Sequence, residues 1–311
     1  GTETGMYISY DDGKAWQSFQ TNLPVVPITD IILRHNDIVL STQGRAFWVL
    51  DDMTPLRTME DDVMLEPVHL FEPTPHTELQ LNGSRHGGEI SNPSGDAQLY
   101  YSIGTELAED AELKMEVIAS NGEVMTTLTS KDDGLPTKVG LNKFFWDKTY
   151  EDFDSADGVK FSYGEDGYQV PYGTYNVRMT LGNNISEGSL TINPDPRSEI
   201  TMSQWAEHAR ISREAYDLAT ELNRSINTLR DARAQIEDTI KREGITDELR
   251  EAGEAAAKAL IDWDESVISD KREFFQDVLN WPDKLFSDVY GIYGILAGST
   301  PPITEGAKER L

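Results

Sequence analysis

The sequence predicts a multidomain β plus α protein, with short strands in its first part and helices in the remainder. Residues 1–193 carry short β-branched and aromatic runs separated by Gly, Pro and Asn-Gly turn signals. Residues 201–296 instead place apolar side chains at three- and four-residue steps, the period of an amphipathic helix. These patterns predict strands at 1–56, a connector at 57–95, a β-sandwich at 96–196 and a helical bundle at 197–311.

The most specific stretch is SYDDGKAW at residues 9–16, where Ser9, Asp11, Gly13 and Trp16 follow the pattern S-x-D-x-G-x-x-W. An Asp in a tight turn accepts hydrogen bonds from backbone N–H groups just downstream, and Gly adopts a positive φ without steric cost. The Trp is expected to cover the hairpin by packing between neighbouring sheets. All four residues therefore have structural roles, and the motif assigns no chemistry.

Strands around this turn are predicted at 5–10, 15–19, 28–33, 37–42 and 46–50, where β-branched and aromatic residues cluster. Their spacing is that of a four-stranded meander, which corresponds to one blade of a β-propeller and the end of the blade before it. One blade cannot bury its own faces, because each blade of a propeller packs against the next. Most of the ring is therefore expected to lie outside this sequence.

Residues 1–56 resemble the last repeats of bacterial BNR or Asp-box β-propeller proteins of the sortilin-like type, often labelled glycosyl hydrolases. Its specific motifs lie in the first fifty or so residues, including 9–16 and TQGRAFWVLDD at 42–52, and in the DPR turn at 195–197. Gln43 replaces the His of the family pattern THGRSFW. In layout it covers the whole chain, because such proteins continue with an immunoglobulin-like or FlgD-like sandwich and a helical tail. It implies a secreted bacterial protein, extracellular or in the periplasm and cell envelope, with a peptide or glycan ligand.

The connector at 57–95 is predicted because four Pro and four Gly interrupt any long element, with one short strand expected at 68–71. Its polar cluster at residues 85–89, RHGGE, is interpreted as a solvated loop, and a lining for a groove between domains is the alternative. The sandwich strands are expected at 97–103, 112–120, 123–129, 140–146, 173–181 and 189–193. Trp146 and Tyr175 are predicted to lie in the core of this immunoglobulin-like sandwich.

An acidic insertion, DKTYEDFDSADGVKFSYGEDG, occupies residues 147–167 between two of these strands. Its carboxylates are hard oxygen ligands of the kind that calcium prefers, and Asp152, Asp154 and Asp157 are the weak calcium candidates. The spacing does not match an EF-hand loop, so a solvated acidic insertion is the favoured interpretation and a calcium site the alternative. The sequence indicates no other metal and no cofactor.

The helical part begins with a capping box, in which Thr201 is followed three residues later by Gln204. The first helix is expected to reach about residue 242, with Gly244 ending it, and Thr246 is expected to cap a second helix that ends near 269 or continues towards 279. Pro282 is expected in the first turn of a third helix at 283–296. The apolar stripe of the first helix comprises Ile211, Ala215, Leu218, Leu222, Ile226, Leu229, Ile236 and Ile240. Short connections predict an antiparallel bundle, with a coiled-coil partner as the alternative use of the stripe.

The charge balance limits the partners that the chain can bind. A formal net charge of -28, from 55 acidic and 27 basic side chains, disfavours nucleic acid and anionic membrane surfaces, because both would be repelled. The chain has no cysteine, which excludes disulfides and thiolate metal sites. No apolar run approaches the roughly 20 residues that a membrane-spanning helix needs.

No complete catalytic set is present in the sequence. The motifs GxSxG, HExxH, the P-loop and GxGxxG after a strand are all missing. A sialidase-like site would need an arginine cluster with a Tyr and carboxylates, and Arg45, Arg57, Asp51 and Asp52 are the available candidates. The two Asp residues are more simply the polar end of a strand.

The favoured function is therefore the non-catalytic binding or scaffolding portion of a propeller protein, with the ligand held mainly by blades outside the chain. The expected partner is the remainder of the propeller, in the same protein or in a second chain. The alternative is the C-terminal part of a glycoside hydrolase whose catalytic residues lie on those blades. Whether the whole protein is an enzyme stays open.

Overall fold

The computed structural model describes residues 1–60, 62–79, 95–159, 166–269, 271–282 and 284–311. Within these residues the chain is a mixed β and α protein, in which several sheets up to Asn193 are followed by helices. This order of strands and then helices confirms the coarse prediction of fold class. The division into four segments, with its three boundaries, stays a prediction.

The strands of residues 1–56 form two small sheets. β1 (Tyr7–Ile8) and β2 (Gln17–Ser18) pair as an antiparallel hairpin around the SYDDGKAW turn. β3 (Ile28–Arg34), β4 (Asp37–Thr42) and β5 (Phe47–Leu50) form a separate three-stranded antiparallel sheet. The expected single meander is thus divided between two sheets.

Two prolines explain this division, because Pro24 and Pro27 lie between β2 and β3 and cannot donate to a strand ladder. The sheets meet where the N–H of Ile28 donates to the carbonyl oxygen of Thr2 at 3.0 Å. They share a small core whose buried members are Met6, Ile38, Leu40 and Met53. One face of the three-stranded sheet therefore packs onto this core, and the opposite face lies outside it.

Residues 54–79 contain more regular structure than a connector. The predicted short strand is confirmed as β6 (His69–Leu70), while α1 (Thr54–Thr58), a 3-10 turn at Val63–Leu65 and β7 (His76–Thr77) were not predicted. β6 pairs with one of two further sheets, called the larger sheets below because they share the larger core, and β7 pairs in parallel with the other. This segment therefore supplies edge strands to both sheets. The polar cluster at 85–89 lies outside the described residues.

The two larger sheets contain every strand predicted between residues 97 and 193. These strands are β8 (Ala97–Ile103), β9 (Leu113–Ile118), β10 (Val124–Thr129), β11 (Gly140–Trp146), β12 (Gly173–Leu181) and β13 (Asn184–Asn193). The larger sheet has the order β10-β9-β12-β13-β7 and the smaller one β11-β8-β6. β13 begins at Asn184 rather than at 189, because it pairs with β12 along its whole length.

Both sheets contribute to one hydrophobic core, in which Trp146 and Tyr175 are buried as predicted. The same core contains Ile211, Ala215 and Ile226 from the first long helix, and it continues to Tyr290 on a later helix. The sheets and helices are therefore packed against each other around shared apolar side chains rather than around separate cores.

Among the described residues, four α-helices follow the sheets: α2 (Met202–Ile240), α3 (Asp247–Val267), α4 (Leu285–Ala297) and α5 (Glu305–Lys308). The predicted capping box is confirmed, because the Thr201 side chain accepts from the N–H of Gln204 and the Gln204 side chain accepts from the N–H of Thr201. Thr246 caps α3 as predicted. Gly244 follows α2 with a φ of +85°, a conformation that glycine adopts without strain.

Two details of the helix prediction are wrong. Leu218 is exposed, because Ala219 and Asn223 occupy the buried face of α2 at that level. α4 begins at Leu285 after an extended Lys284, so Pro282 precedes the helix instead of standing in its first turn. The end of α3 at Val267 agrees with the predicted end near 269, and the alternative of a helix that continues towards 279 is wrong, because a separate 3-10 turn occupies Phe275–Leu279.

Candidate functional site

The SYDDGKAW turn is closed by the side chains of Ser9 and Asp11. The Asp11 carboxylate accepts from the N–H of Ala15 at 2.9 Å and from the Ser9 hydroxyl at 2.8 Å. Ser9 Oγ in turn accepts from the N–H of Gly13, whose φ is +85°. The N–H of Ala15, with the Ser9 hydroxyl, lowers the pKa of the Asp11 carboxyl below its usual range. These contacts use the polar atoms of the motif to close its own turn.

Trp16 does not pack between neighbouring sheets as expected. Its side chain is 64% exposed, and its indole N–H donates to the carbonyl oxygen of Gly13 at 3.1 Å. Within the described residues no sheet covers the outer side of this hairpin. The Trp therefore presents an apolar ring to the surroundings.

The arginine and aspartate candidates of residues 45–57 do not form a catalytic group. The Asp52 carboxylate accepts from Asn36 Nδ2, from the N–H of Thr54 at 2.9 Å and from the Thr74 hydroxyl at 2.9 Å. This carboxylate ties the end of β5 to residues 54–74 and has a structural role. Arg45 and Arg57 are exposed, and the Arg45 guanidinium donates to the carbonyl oxygen of its neighbour Gly44 at 3.2 Å.

The weak calcium candidates do not converge on a common point. Asp152 Oδ1 accepts from the N–H of Gly167 at 2.8 Å, whereas Asp154 and Asp157 are contacted through their backbone atoms. Among the described residues, no three acidic or histidine side chains are placed to hold a metal ion. A side chain at Gly167 would lie 1.9 Å from the carbonyl oxygen of Tyr150, so the turn requires glycine there.

The acidic insertion is held by α2. Asn223 Nδ2 donates to the carbonyl oxygen of Asp154 at 2.8 Å, and Asn227 Nδ2 donates to that of Ser155 at 2.9 Å. Arg230 donates to the carbonyl oxygen of Asp157 and forms a buried ion pair with Asp264 of α3. The insertion, predicted to be solvated, therefore serves as the docking segment between the sheets and the helices.

Aromatic rings complete this contact. Phe153 lies with its ring centroid 5.4 Å from that of Tyr216, 5.7 Å from that of Tyr290 and 5.4 Å from that of Tyr293. At the edge of the cluster, Arg213 of α2 forms an ion pair with Glu123 on the hairpin between β9 and β10. The hydrogen bond from Arg213, with a second from Tyr150, lowers the pKa of the Glu123 carboxyl.

A cavity of about 570 Å³ lies beside this contact, where the sheets, α2 and the end of α4 meet. It is called the Trp205 cavity below. Its lining comprises Glu78, Gly95, Asp96, Asp147, Lys148, Thr149, Tyr168, Gln169, Val170, Pro171, Tyr172, Ile192, Trp205, His208, Ala209, Ala297, Gly298 and Ser299. Its volume falls within the range of roughly 300 to 1,000 Å³ that is usual for small-molecule sites.

A buried lysine forms one wall of the Trp205 cavity. The Lys148 side chain is only 5% exposed, its ammonium donates to the carbonyl oxygen of Gly95, and it pairs with Glu78 at 3.4 Å. Lys148 has a φ of +65°, a left-handed conformation that stores about 1–3 kcal/mol in a non-glycine residue. His76 and Lys148 together lower the pKa of the Glu78 carboxyl. The ammonium charge is thus largely compensated within the protein.

Trp205 and His208, on successive turns of α2, form the facing wall. The Trp205 ring meets the ring of Tyr172 at a centroid distance of 4.8 Å and an angle of 88°, so the two rings form a right-angled aromatic corner. Burial, with the carboxylates of Glu78 and Asp195 nearby, raises the pKa of Tyr172 to about 12. Burial lowers the pKa of His208, so this imidazole is neutral near pH 7.

His208 and Ser299 are close enough to raise the question of nucleophilic catalysis. Their Nε2 and Oγ atoms are 3.2 Å apart, but the Ser299 hydroxyl donates to the carbonyl oxygen of Leu296 at 3.0 Å. The proton of Ser299 is therefore directed away from the imidazole, the opposite of what a general base requires. Ser299 also follows the C-terminal end of α4, whose partial negative charge would oppose a developing oxyanion. The geometry favours binding rather than acyl transfer.

The Trp205 cavity could not be predicted from the sequence. Lys148 and Asp147 belong to the acidic insertion, Trp205 and His208 begin the long helix, and Ser299 follows α4. No spacing rule connects these positions, because the packing of α2 and α4 against the sheets brings them together. The pair Trp205 and His208, three residues apart near the start of a helix, was the only local signal available.

None of the described helices is both long and apolar enough to cross a membrane. No protein-family model, curated protein or solved structure matches this chain.

Proposed function

We propose that the chain is the non-catalytic binding or scaffolding portion of an exported bacterial BNR-repeat propeller protein. In this proposal residues 1–56 are terminal blade structure, the two larger sheets are an immunoglobulin-like sandwich, and the helices are an antiparallel bundle that braces it. A peptide or glycan ligand is held mainly by blades outside this chain. The motif at residues 9–16 and the turn it closes support the Asp-box assignment.

The observation that carries the proposal is an uncovered apolar face on the β3-β4-β5 sheet. Val39 lies opposite Ile32 on β3 and Val49 on β5, so these three side chains form one row across the sheet. Phe47 stands in the next row and is 76% exposed, and Ile32 and Val49 are exposed as well. The other face buries Ile38 and Leu40 in the small core.

Contiguous exposed apolar side chains on one sheet face indicate a surface that another element covers. A neighbouring blade is the occupant that a propeller would provide, because blades pack face to face around the ring. Trp16 offers a second exposed apolar ring on the adjoining hairpin. The small core of four buried residues is too limited to stabilise residues 1–56 by itself, which fits a segment completed by further blades.

The first test measures whether this face is a contact surface. The chain would be titrated with a separate polypeptide carrying further blades of the same protein, and binding measured by calorimetry. Phe47→Ser with Val49→Ser should weaken binding at least about 100-fold, because two central apolar anchors are lost. Leu279→Ser, which alters an exposed leucine far along the chain, should leave binding unchanged. Equal binding by all variants, or no binding by the unaltered chain, would overturn the proposal.

The second test separates binding from catalysis. The protein from its native source would be assayed with fluorogenic glycosides. The proposal expects no turnover above the uncatalysed rate. Turnover that is lost when an arginine cluster and a Tyr on the other blades are substituted would establish the glycoside hydrolase alternative instead.

A further inference from the structure

The charged groups that line the Trp205 cavity are engaged by other parts of the protein or by solvent. Glu78 and Lys148 pair with each other at 3.4 Å. Asp96 likewise has an interaction partner. Asp147 is exposed to solvent, and its Oδ1 accepts from the Thr149 hydroxyl at 2.7 Å. The lining is therefore better suited to a neutral ligand than to an ion.

Neutral polar groups of the lining keep hydrogen-bonding capacity. Gln169 is exposed, and its Nε2 donates to the carbonyl oxygen of Asp147 at 3.2 Å. The side-chain oxygen and the second amide hydrogen of Gln169 have no partner among the described residues. The Tyr172 hydroxyl has none there either, and it stays protonated at pH 7 because burial raises its pKa to about 12. The amide and the hydroxyl can each donate and accept, as the hydroxyls of a sugar do.

The rings of Trp205 and Tyr172 supply an apolar surface beside these polar groups. Both residues are half-buried, so each still exposes part of its side chain, and their right-angled contact forms a corner in the cavity wall. His208, which follows on the next turn of α2, lies with its ring centroid 6.0 Å from that of Trp205. A pyranose ring carries C–H groups on its faces and hydroxyls around its edge. It can therefore pack on aromatic rings while its edge is hydrogen-bonded.

Other ligand classes fit this lining less well. A purely apolar ligand would cover Gln169 and Tyr172 without replacing the hydrogen bonds that these groups make with water, which is unfavourable. A metal ion would need converging oxygen ligands, and the described residues place no group of three acidic or histidine side chains for it. An anion would meet a described lining whose ammonium group is already paired with Glu78.

We propose that the Trp205 cavity binds a neutral pyranoside, with the C–H face of the sugar on the rings of Trp205 and Tyr172 and its hydroxyls hydrogen-bonded to Gln169. The Tyr172 hydroxyl and the Asp147 carboxylate supply further partners at the edge of the sugar. This site is separate from the ligand surface assigned to further blades. The proposal does not rest on the propeller assignment, because every residue in it lies outside residues 1–56.

The test is calorimetric titration of the whole chain with the methyl glycosides of glucose, galactose, mannose and N-acetylglucosamine. At least one of them should bind saturably at one site. Cyclohexanol keeps the ring without most of the hydroxyls, and glycerol keeps hydroxyls without the ring, so each should bind about 10-fold or more weakly. Choline, an organic cation, should show no saturable binding.

Two substitutions at the site, each with a matched control, sharpen the result. Trp205→Leu removes a ring face and should weaken binding of the glycoside about 10-fold, while Gln169→Leu removes the hydrogen-bonding amide and should weaken it several-fold. Trp281→Leu and Gln235→Leu alter an exposed tryptophan and an exposed glutamine outside the cavity and should have no effect. Urea unfolding of each variant identifies any loss of fold. Gln169→Leu decides the question if Trp205→Leu is unstable, because Gln169 is exposed and its replacement should leave the fold intact.

Several results would overturn the proposal. These are no saturable binding of any of the four glycosides, binding that folded Trp205→Leu and Gln169→Leu proteins retain unchanged, and affinity for cyclohexanol, glycerol or choline equal to that for the glycoside. A failure of this kind would leave the propeller proposal untouched, because that proposal is tested at Phe47 and Val49.

Discussion

Residues 1–56 and the remainder of the described chain are stabilised in different ways. The N-terminal sheets have a core of four buried residues and expose apolar side chains such as Phe47, Ile32 and Trp16. The larger sheets and the helices share one extensive core, and the segment between them is held by hydrogen bonds from α2. The first region is folded by local turns, and the second by contacts between distant parts of the sequence.

The two regions also differ in how their polar and apolar groups are used. In the N-terminal region the polar atoms of the turns are satisfied while apolar surface is left over. In the larger region the sheets and helices bury a shared core, and the side chains of Asn223 and Arg230 donate to backbone carbonyls that join its parts. The first region therefore exposes apolar side chains beside a small core, whereas the second packs its sheets and helices around a shared one.

The largest expected effect comes from the same substitution made in both regions. Phe153→Ala should lower the free energy of unfolding by about 3–5 kcal/mol, because this ring is 4% exposed and packs among three tyrosines. Phe47→Ala should change it by no more than about 0.5 kcal/mol, because the ring is exposed. Urea unfolding monitored by circular dichroism provides the comparison. Similar losses for both variants would show that the two regions are packed alike.

A smaller effect is expected from two asparagines. Asn223→Ala should cost about 1–3 kcal/mol, because the buried amide donates to Asp154 O at 2.8 Å and to Tyr290 Oη at 2.7 Å. Asn36→Ala should cost about 1 kcal/mol or less, because Asn36 is half-buried and water can replace its bonds to Asp52 and Thr54. Thermal unfolding of both variants and of the unaltered chain measures the two losses of stability. A greater loss for Asn36→Ala would reverse the comparison.

The smallest effect concerns the pH dependence of stability. The folded pKa of Glu123 is lowered by Arg213, so the carboxylate contributes stability above its unfolded pKa of about 4.5, and this contribution is lost as the pH falls through the lower, folded value. Glu123→Gln should therefore be less stable at pH 7, by about 1 kcal/mol or less because the pair is partly exposed. The difference from the unaltered chain should shrink as the pH falls below about 4.5.

The control for this prediction is Glu187→Gln, which alters an exposed pair with Arg178. Its effect at pH 7 should be smaller, because solvent screens the pair. A difference between Glu123→Gln and the unaltered chain that persists unchanged at pH 3 would contradict the role assigned to the Arg213 contact.

The sequence predicted the elements whose signals are local. Strands from Ala97 to Asn193 follow runs of apolar residues, and the helix starts at Thr201 and Thr246 follow capping signals. β7 escaped prediction because two residues at His76–Thr77 carry no periodic pattern, and their pairing with β13 is set by the larger sheet. Leu218 was misplaced because a stripe at three- and four-residue steps is compatible with more than one face of a long helix.

The contacts of the acidic insertion were beyond sequence reasoning for a physical reason. Asn223, Asn227 and Arg230 meet backbone carbonyls that lie 69, 72 and 73 residues earlier in the chain. Every residue carries the same backbone carbonyl, so the pattern of side chains does not show which carbonyl will accept the hydrogen bond. The Trp205 cavity was missed for the same reason, since its walls come from segments that only the packing of α2 brings together.

The contacts that α2 makes with residues 147–159 also have a consequence for the evolution of the protein. If the sheets were copied into another gene without α2, the carbonyls of Asp154, Ser155 and Asp157 would lose their side-chain donors and the ring of Phe153 its neighbours. Recombination between residues 196 and 202 should therefore rarely yield a stable product. We expect the β segment and the long helix α2 to be kept together in one gene during evolution, whatever sequence precedes them.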